Sequence, residues 1–379
     1  MPFWTPDGLR VECISGDLNG KDDEIYLVGT QFPDVFLNLS NNPAADRNPD
    51  WPFQCGPAVE AAAAKIEAPE TANGGELVLG YEGSGDAMSA QDEAELLQAC
   101  AELQIQCVRG EDITALADQN VGAILSFSNK WKVNGDYPKI HDAVSKGNLV
   151  LVLNAESGEP GVYNLSNEYE AVRAGLLWMF DQMGGVGDFA YYNFGHNETH
   201  QVIIDEVLKE NPGVNASAMP AEFEGDSLTE DSIAELAASN PKLKGIWTDN
   251  RQNDVFWGLH NSHADPLPAF LCEAKPDMFQ AWKNWLNENP EVESFSTINP
   301  GGTGYEGVYA AHFILNGSEI NPAALGGMYG NTFKYDFPII TNDNLDEWLA
   351  KAGTLPNSEW GALELPPMTP QEIKEKWFK

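Results

Sequence analysis

From residue 76 onward one pattern repeats. A short, unbroken apolar run is followed by a longer stretch with apolar residues every three or four positions, and then by another run. The runs are 76–80 (ELVLG), 105–108, 122–127 (GAILSF), 149–153 (LVLVL), 189–194 (FAYYNF), 214–217, 243–248, 269–272 and 294–298. Runs without polar alternation suit strands buried on both faces of a parallel sheet. The stretches between them are helical by period. In NEYEAVRAGLLWMFDQM, Tyr169, Val172, Leu176, Met179 and Met183 share a face, and Asn167 with Glu170 three residues on reads as a capping start. In QDEAELLQACAEL, Ala94, Leu97, Cys100 and Ala101 do the same. This alternation predicts open α/β sheets with right-handed crossovers. The strands are too many for one comfortable sheet, and 379 residues exceed one ordinary core. Two doubly wound lobes fit better. Residues 1–75 differ: they are rich in Pro, Asn, Asp and Gly, with a clear strand only at 25–29 and a helix at 57–68.

Charge narrows the function. The formal net charge is −37, and the 21 Lys and Arg residues do not cluster. Nucleic acid is excluded as a partner, because a phosphate backbone needs a basic face. The acid excess reads as a solvated coat. No run of about 18 apolar residues spans a membrane. The segment MPFWTPDGLR lacks the basic flank and apolar run of a secretory signal, so either the protein stays inside or a signal has been removed. The five cysteines form no C-x-x-C pair. Cys100 and Cys107 are spaced to bridge a helix end to the next strand, and Cys13 and Cys55 to staple the N-terminal segment; five buried thiols are the alternative.

In open α/β sheets ligands bind outside the carboxyl ends of the strands. Those ends carry Tyr81, Glu82, Ser84 and Asp86; Phe127, Ser128, Asn129, Lys130 and Trp131; Asn154 and Glu156; His196, Asn197 and His200; Thr248, Asp249, Asn250 and Arg251; Glu273; and Asn299. Amides, carboxylates and aromatics of this kind serve hydroxyls while rings stack on an apolar face, which suits a sugar or polyol better than a phosphate. No nucleophile elbow, phosphate-binding loop or dinucleotide fingerprint is present. His196, Glu198 and His200 spell H-x-E-x-H, but no third ligand is evident; the adopted reading is a helix start with one ligand-facing histidine, and no metal. The acidic segment 17–24 (DLNGKDDE) lacks full calcium-loop spacing and reads as a turn. No acid, base and nucleophile are assembled, so an enzyme is not expected.

Several stretches, in their order and spacing, resemble the ribose-binding-like group of type I periplasmic sugar-binding proteins. They are GNLVLVLNAES, NEYEAVRAGLLWMF, ENPGVNASAMPAEFEGDS, PKLKGIWTDN, INPGGTGYEGVYAAHFILNG and PIITNDNLDEW. The resemblance implies two doubly wound parallel-sheet lobes joined by a three-strand hinge. It puts 1–165 with 300–337 in an N-terminal lobe (1–75 being an atypical extension) and 166–299 with 338–379 in a C-terminal lobe. It implies an extracytoplasmic, monomeric binder, without cofactor, that closes on a small molecule and delivers it to an ABC transporter permease. A sensory receptor of the same fold, or a binder of a non-sugar molecule, is the alternative. By position, Asn154 falls on an aspartate that contacts sugar hydroxyls and His200 on an arginine, which is a departure from the pattern. Phe223 matches a stacking aromatic. Asn250 matches a strand-end asparagine, with Asp249 beside it and Asp254 as a substitute. Glu273 falls on an aspartate, and Asn299 lies at a crossover. Tyr81, Phe127 and Trp131, with Trp51, are the first-lobe aromatic candidates, whereas Trp178 and Trp247 are expected in the core.

Overall fold

The computed structural model describes residues 77–83, 88–119, 121–128, 130–194, 197–219, 228–352 and 363–379, with the side chains of 130–132, 134 and 198 left aside, and four strands upstream. The chain divides into two compact units, Met1–Lys65 and Ile66–Lys379. In the first, β1 (Phe3–Trp4) pairs antiparallel with β2 (Arg10–Val11), and β3 (Tyr26–Gly29) with β4 (Phe32–Asn38). The strand expected at 25–29 is β3. Its partner β4 was not foreseen, because Pro33 and Asp34 argue against a strand. The helix expected at 57–68, Cys13, Cys55, Trp51 and the acidic segment 17–24 lie outside the described residues.

The second unit opens with β5 (Val78–Glu82), α1 (Ala90–Leu103), β6 (Gln106–Arg109), α2 (Ile113–Ala117), β7 (Ala123–Phe127), α3 (Lys130–Ser145), β8 (Leu149–Leu153) and β9 (Val162–Leu165). There follow α4 (Glu168–Gln182), β10 (Gly187–Tyr192), α5 (Glu198–Glu210), β11 (Val214–Ala218), α6 (Glu230–Ser239), β12 (Leu243–Thr248), α7 (Gln252–Ser262), β13 (Ala269–Leu271), α8 (Pro276–Glu288) and β14 (Ser294–Thr297). The chain ends with β15 (Asn299–Pro300), α9 (Thr303–Leu315), β16 (Leu325–Gly326), β17 (Thr332–Phe333), β18 (Ile339–Ile340), α10 (Leu345–Ala352), β19 (Glu364–Leu365) and α11 (Pro370–Trp377). Every strand expected from residue 76 onward is present, with ends shifted by at most two residues.

Two sheets result. One runs β16-β17-β9-β8-β7-β5-β6, the other β11-β10-β12-β13-β14-β18. The five strands β6-β5-β7-β8-β9 are parallel, as are β11-β10-β12-β13-β14. Both share one doubly wound order, second-first-third-fourth-fifth. Each sheet therefore has its topological switch point between its first and third strands: β5 and β7 in one, β10 and β12 in the other.

Strand alternation sets what each face carries. Leu79 and Tyr81, Leu125 and Phe127, and Leu151 and Leu153 point to the layer of α1 and α9. Val78, Ile124, Val150 and Val152 point the other way. The α4 face holds as expected, with Leu176, Met179 and Met183 buried and Tyr169 and Val172 packed beside them. The α1 face does not. Its buried stripe is Leu96, Ala99 and Cys100, while Leu97 is 44% exposed. Alanine is at home on either side of a helix, so Ala94 and Ala101 gave no purchase on the phase. Cys100 and Cys107 form a disulfide that fastens α1 to β6, and Cys272 is free and buried.

The chain passes from one sheet to the other after β9, after β14 and after β17, and it returns once more. Leu363 and Leu365 pack with the second sheet's core, whereas Met368, Ile373, Trp377 and Phe378 pack in the first. The terminal helix thus lies with the first sheet, not with the second as expected for 338–379. Its Trp377 stacks on Phe333 at 4.7 Å between ring centroids and offers its indole N–H to the Lys334 carbonyl.

Candidate ligand-binding site

At the first sheet's switch point, β5 ends in Glu82 and β7 carries Ser126. Both are buried, on the face opposite to Tyr81 and Phe127. The Ser126 hydroxyl donates to Glu82 Oε1 at 2.5 Å. Beyond β8, Asn154 adopts a left-handed backbone (φ 66°), and its Oδ1 accepts from Thr303 Oγ1, at the start of α9, at 2.8 Å. Asn154 is exposed.

The second sheet's switch point is richer. β12 ends in Thr248, Asp249 follows it, and α5, which follows β10, brings His200 against Asp249. His200 Nδ1 lies 2.9 Å from Asp249 Oδ2, and Nε2 lies 2.7 Å from Glu168 Oε1 in the first turn of α4. Asp249 Oδ1 accepts the Phe194 N–H at 2.8 Å, and Glu168 Oε1 also accepts from Asn197 Nδ2 at 3.1 Å. The bend between β10 and α5 is pinned by a reciprocal pair: Asn193 Nδ2 donates to the Asn197 carbonyl, and the Asn197 N–H donates to Asn193 Oδ1, both at 2.9 Å. Trp247 meets the His200 ring edge-on at 5.5 Å. Burial opposes charge on His200, but its hydrogen bonds to Asp249 and Glu168 and their charges together outweigh that, and its pKa is raised. Both ring nitrogens of His200 thus lie within hydrogen-bond distance of a carboxylate.

Two features mark the passages between the sheets. Asn167, just before α4, donates to Asn299 Oδ1 at 3.4 Å, tying the first passage to the second. It makes no side-chain cap, so the expected capping pair of Asn167 with Glu170 is not formed. Glu156, beyond β8, accepts from the Met328 N–H at 2.9 Å through Oε2, while its buried Oε1 has no hydrogen-bond partner among the described residues. Burial, together with the charges of Glu168 and Glu170, pushes its pKa up to about 7.

The predicted residues divide accordingly. His200 and Asp249 meet at one switch point, and Asn154 and Asn299 lie at strand ends beside the passages. Tyr81 and Phe127 instead belong to the core: Tyr81 gives its hydroxyl to Glu93 on α1, and Phe127 is fully buried. Each stands at a strand end, but alternation turns it to the helix layer. Asn250 is exposed and spends Oδ1 on the Arg251 N–H, and Glu273 is paired with Lys275 at 2.7 Å. Phe223, His196 and the Trp131 side chain lie outside the described residues. Trp247 is in the core, and Trp178 packs on Phe295. Sequence reasoning missed Glu168, Ser126 and Thr303 as site groups. For Ser126 the signal was available, since a hydroxyl in an otherwise apolar strand run must find a partner.

No protein-family model and no curated protein matches this sequence. Solved structures match by shape. An ABC transporter solute binding protein from Thermobispora bispora aligns with TM-score 0.56 at 16% identity, over 79% of this chain and 94% of that one. The fold is that of a type I periplasmic binding protein. Two further structures of this fold align at TM-score 0.51 and 14% identity. One is an ABC sugar transporter subunit from Rhodobacter sphaeroides, covering 71% of this chain and 99% of its own. The other is a sugar ABC transporter protein from Actinomyces odontolyticus, covering 72% and 97%. Each of the two large sheets thus carries one switch point.

Proposed function

We propose that the protein is a solute-binding protein that captures a sugar or polyol between its two sheets for an ABC importer. The observation that carries this reading is the pair of identical switch points, each ending in buried, hydrogen-bonded polar groups rather than in an acid, base and nucleophile set. Rigidly held acceptors and amides recognise hydroxyls, and each paired group contributes about 1–3 kcal/mol against its unpaired state. The three solved structures above are named as ABC transporter proteins, two of them for sugar. The Cys100–Cys107 disulfide favours an oxidising, extracytoplasmic site of action. The protein binds its ligand as a monomer of two lobes, 1–165 with 300–337 and 166–299 with 338 to about 365, and presents the closed form to a permease. Asn154, Asn299, His200 and Asp249 take part in the site, with Glu82, Ser126 and Glu168.

A thermal-shift screen against sugars, polyols, nucleosides and amino acids, with and without EDTA, tests this. A ligand at 100 times its Kd stabilises by about 2.7 kcal/mol, a readily measured shift. A hit within one carbohydrate class supports the reading, and a panel without any hit overturns it.

A further inference from the structure

We propose that the fourth passage between the sheets, residues 363–369, is a strap that limits how far the two sheets part in the free protein, and that the buried Glu306 is the post to which it is fastened. The inference rests on the solute-binding reading above and names what restrains its hinge.

A strap needs two anchors and a length that does not give. The anchor on the second sheet is Leu363, fully buried in that core, whose N–H donates to the Ala274 carbonyl beyond β13 at 2.8 Å. The anchor on the first sheet is Met368, packed against that core, whose N–H donates to Glu306 Oε1 on α9 at 2.8 Å. Thr369 then caps α11, and Ile373 and Trp377 bury the helix in the same core. Between the anchors lie Glu364, Leu365, Pro366 and Pro367. From one anchor to the other such a segment reaches at most about 17 Å. The two prolines fix φ, so few residues are left to absorb a hinge rotation.

The strap is also fastened sideways. In it β19 pairs in parallel with β15 of the second passage, Asn299 opposite Glu364 and Pro300 opposite Leu365, and the Gly301 N–H donates to the Leu365 carbonyl at 3.0 Å. A Cβ at Gly301 would press on that same carbonyl oxygen, which is backbone, so only glycine lets the two passages lie this close. The third passage is held at the same post. Tyr335, which follows β17, gives its hydroxyl to Glu306 Oε2 at 2.6 Å. Lys376 of α11 pairs with Asp336, and the Trp377 indole N–H reaches the Lys334 carbonyl. The second, third and fourth passages are therefore joined, and bending one moves the others or breaks bonds held by Glu306 and α11.

The test is made on the full chain without ligand, by small-angle scattering and amide hydrogen exchange. Wild type is compared with Gly301→Ala and with the double variant Pro366→Gly, Pro367→Gly; circular dichroism and thermal unfolding check that each variant folds. Gly301→Ala pushes β15 away from β19, whereas the double variant leaves that pairing in place and slackens the strap. Each is expected to raise the radius of gyration, about 21 Å for a compact chain of this length, by about 1 Å as the sheets part. Each is also expected to speed exchange about tenfold in peptides covering 299–302 and 363–368, while β7 and β12 keep their wild-type rates. A segment that merely packs would speed exchange there and leave the scattering unchanged; that result overturns the strap, as does wild-type behaviour in both variants. If Gly301→Ala does not fold, the double variant decides alone. The two readings also fail separately. A sugar screen without hits beside the expected scattering ends the solute-binding reading, and a bound sugar beside unchanged scattering ends the strap.

Discussion

Asn164 shows how single residues stiffen the ground around the site. It is fully buried in β9, yet all of its polar atoms are engaged. Its Oδ1 accepts the Ser157 N–H at 2.9 Å, and its Nδ2 donates to the Ser157 carbonyl at 3.1 Å, to Asn331 Oδ1 at 2.8 Å and to Thr332 Oγ1 at 3.3 Å. Asn331 adds bonds to the Ser157 and Val162 carbonyls. The bend that bears Asn154 and Glu156 is therefore tied to β9 and to the start of β17 through the side chains of Asn164 and Asn331. Asn164→Leu keeps the volume but strands several buried partners, each at a cost of about 1–3 kcal/mol. It is expected to lower the urea midpoint without changing the slope of the transition. None of this was legible in VYNL, because a buried asparagine in a four-residue strand announces its partners only when residues 331–332 arrive. Glu168 was hidden for the same reason. In sequence it is part of a helix start, and only tertiary packing brings His200 to it.

At the level of elements, the apolar runs named nearly every parallel strand, because burial on both faces leaves a local signature. Short strands at or next to the sheet edges, β16, β17 and β18, leave none, being two residues each. Helix phase is an intermediate case: α4 was readable and α1 was not. One packing contact explains why α1 and α9 sit so close. A Cβ on Gly304 would lie 2.5 Å from the Asp92 carbonyl oxygen and 3.1 Å from Phe127. The oxygen is backbone and cannot step aside. Gly304→Ala raises helix propensity by about 1 kcal/mol, yet it is expected to destabilise the protein by about 1–3 kcal/mol through overpacking. Calorimetric unfolding checks the sign. A rise in Tm would mean that α9 can slide.

For the whole molecule, acid runs deeper than the surface. Glu306 is buried on α9, where its Oε2 accepts the Tyr335 hydroxyl at 2.6 Å and its Oε1 the Met368 N–H at 2.8 Å. Burial pushes its pKa up to about 8 from an ordinary 4.5. Burial, with Asp92 and Glu95 nearby, brings Glu364 to about 7, alongside Glu156. Between pH 4.5 and 8 the folded protein holds protons that the unfolded chain releases, so stability falls as pH rises, by up to about 1.4 kcal/mol per pH unit for Glu306. His200, with its raised pKa, acts in the same direction. Thermal unfolding is expected to give a higher Tm at pH 5.5 than at pH 8.5, with a smaller difference in Glu306→Gln. An unchanged difference would place the effect elsewhere in the net charge of −37.

The return of α11 to the first sheet also bears on how the chain is made. Ile373, Trp377 and Phe378 complete a core begun by Leu79. A ribosome delivers β5 through β9 long before it releases Trp377. The second sheet's parallel strands, all in hand by residue 297, can consolidate during translation, while the first waits with an open apolar face until α11 is made. The sheet that is made first is thus expected to be the one that closes its core last.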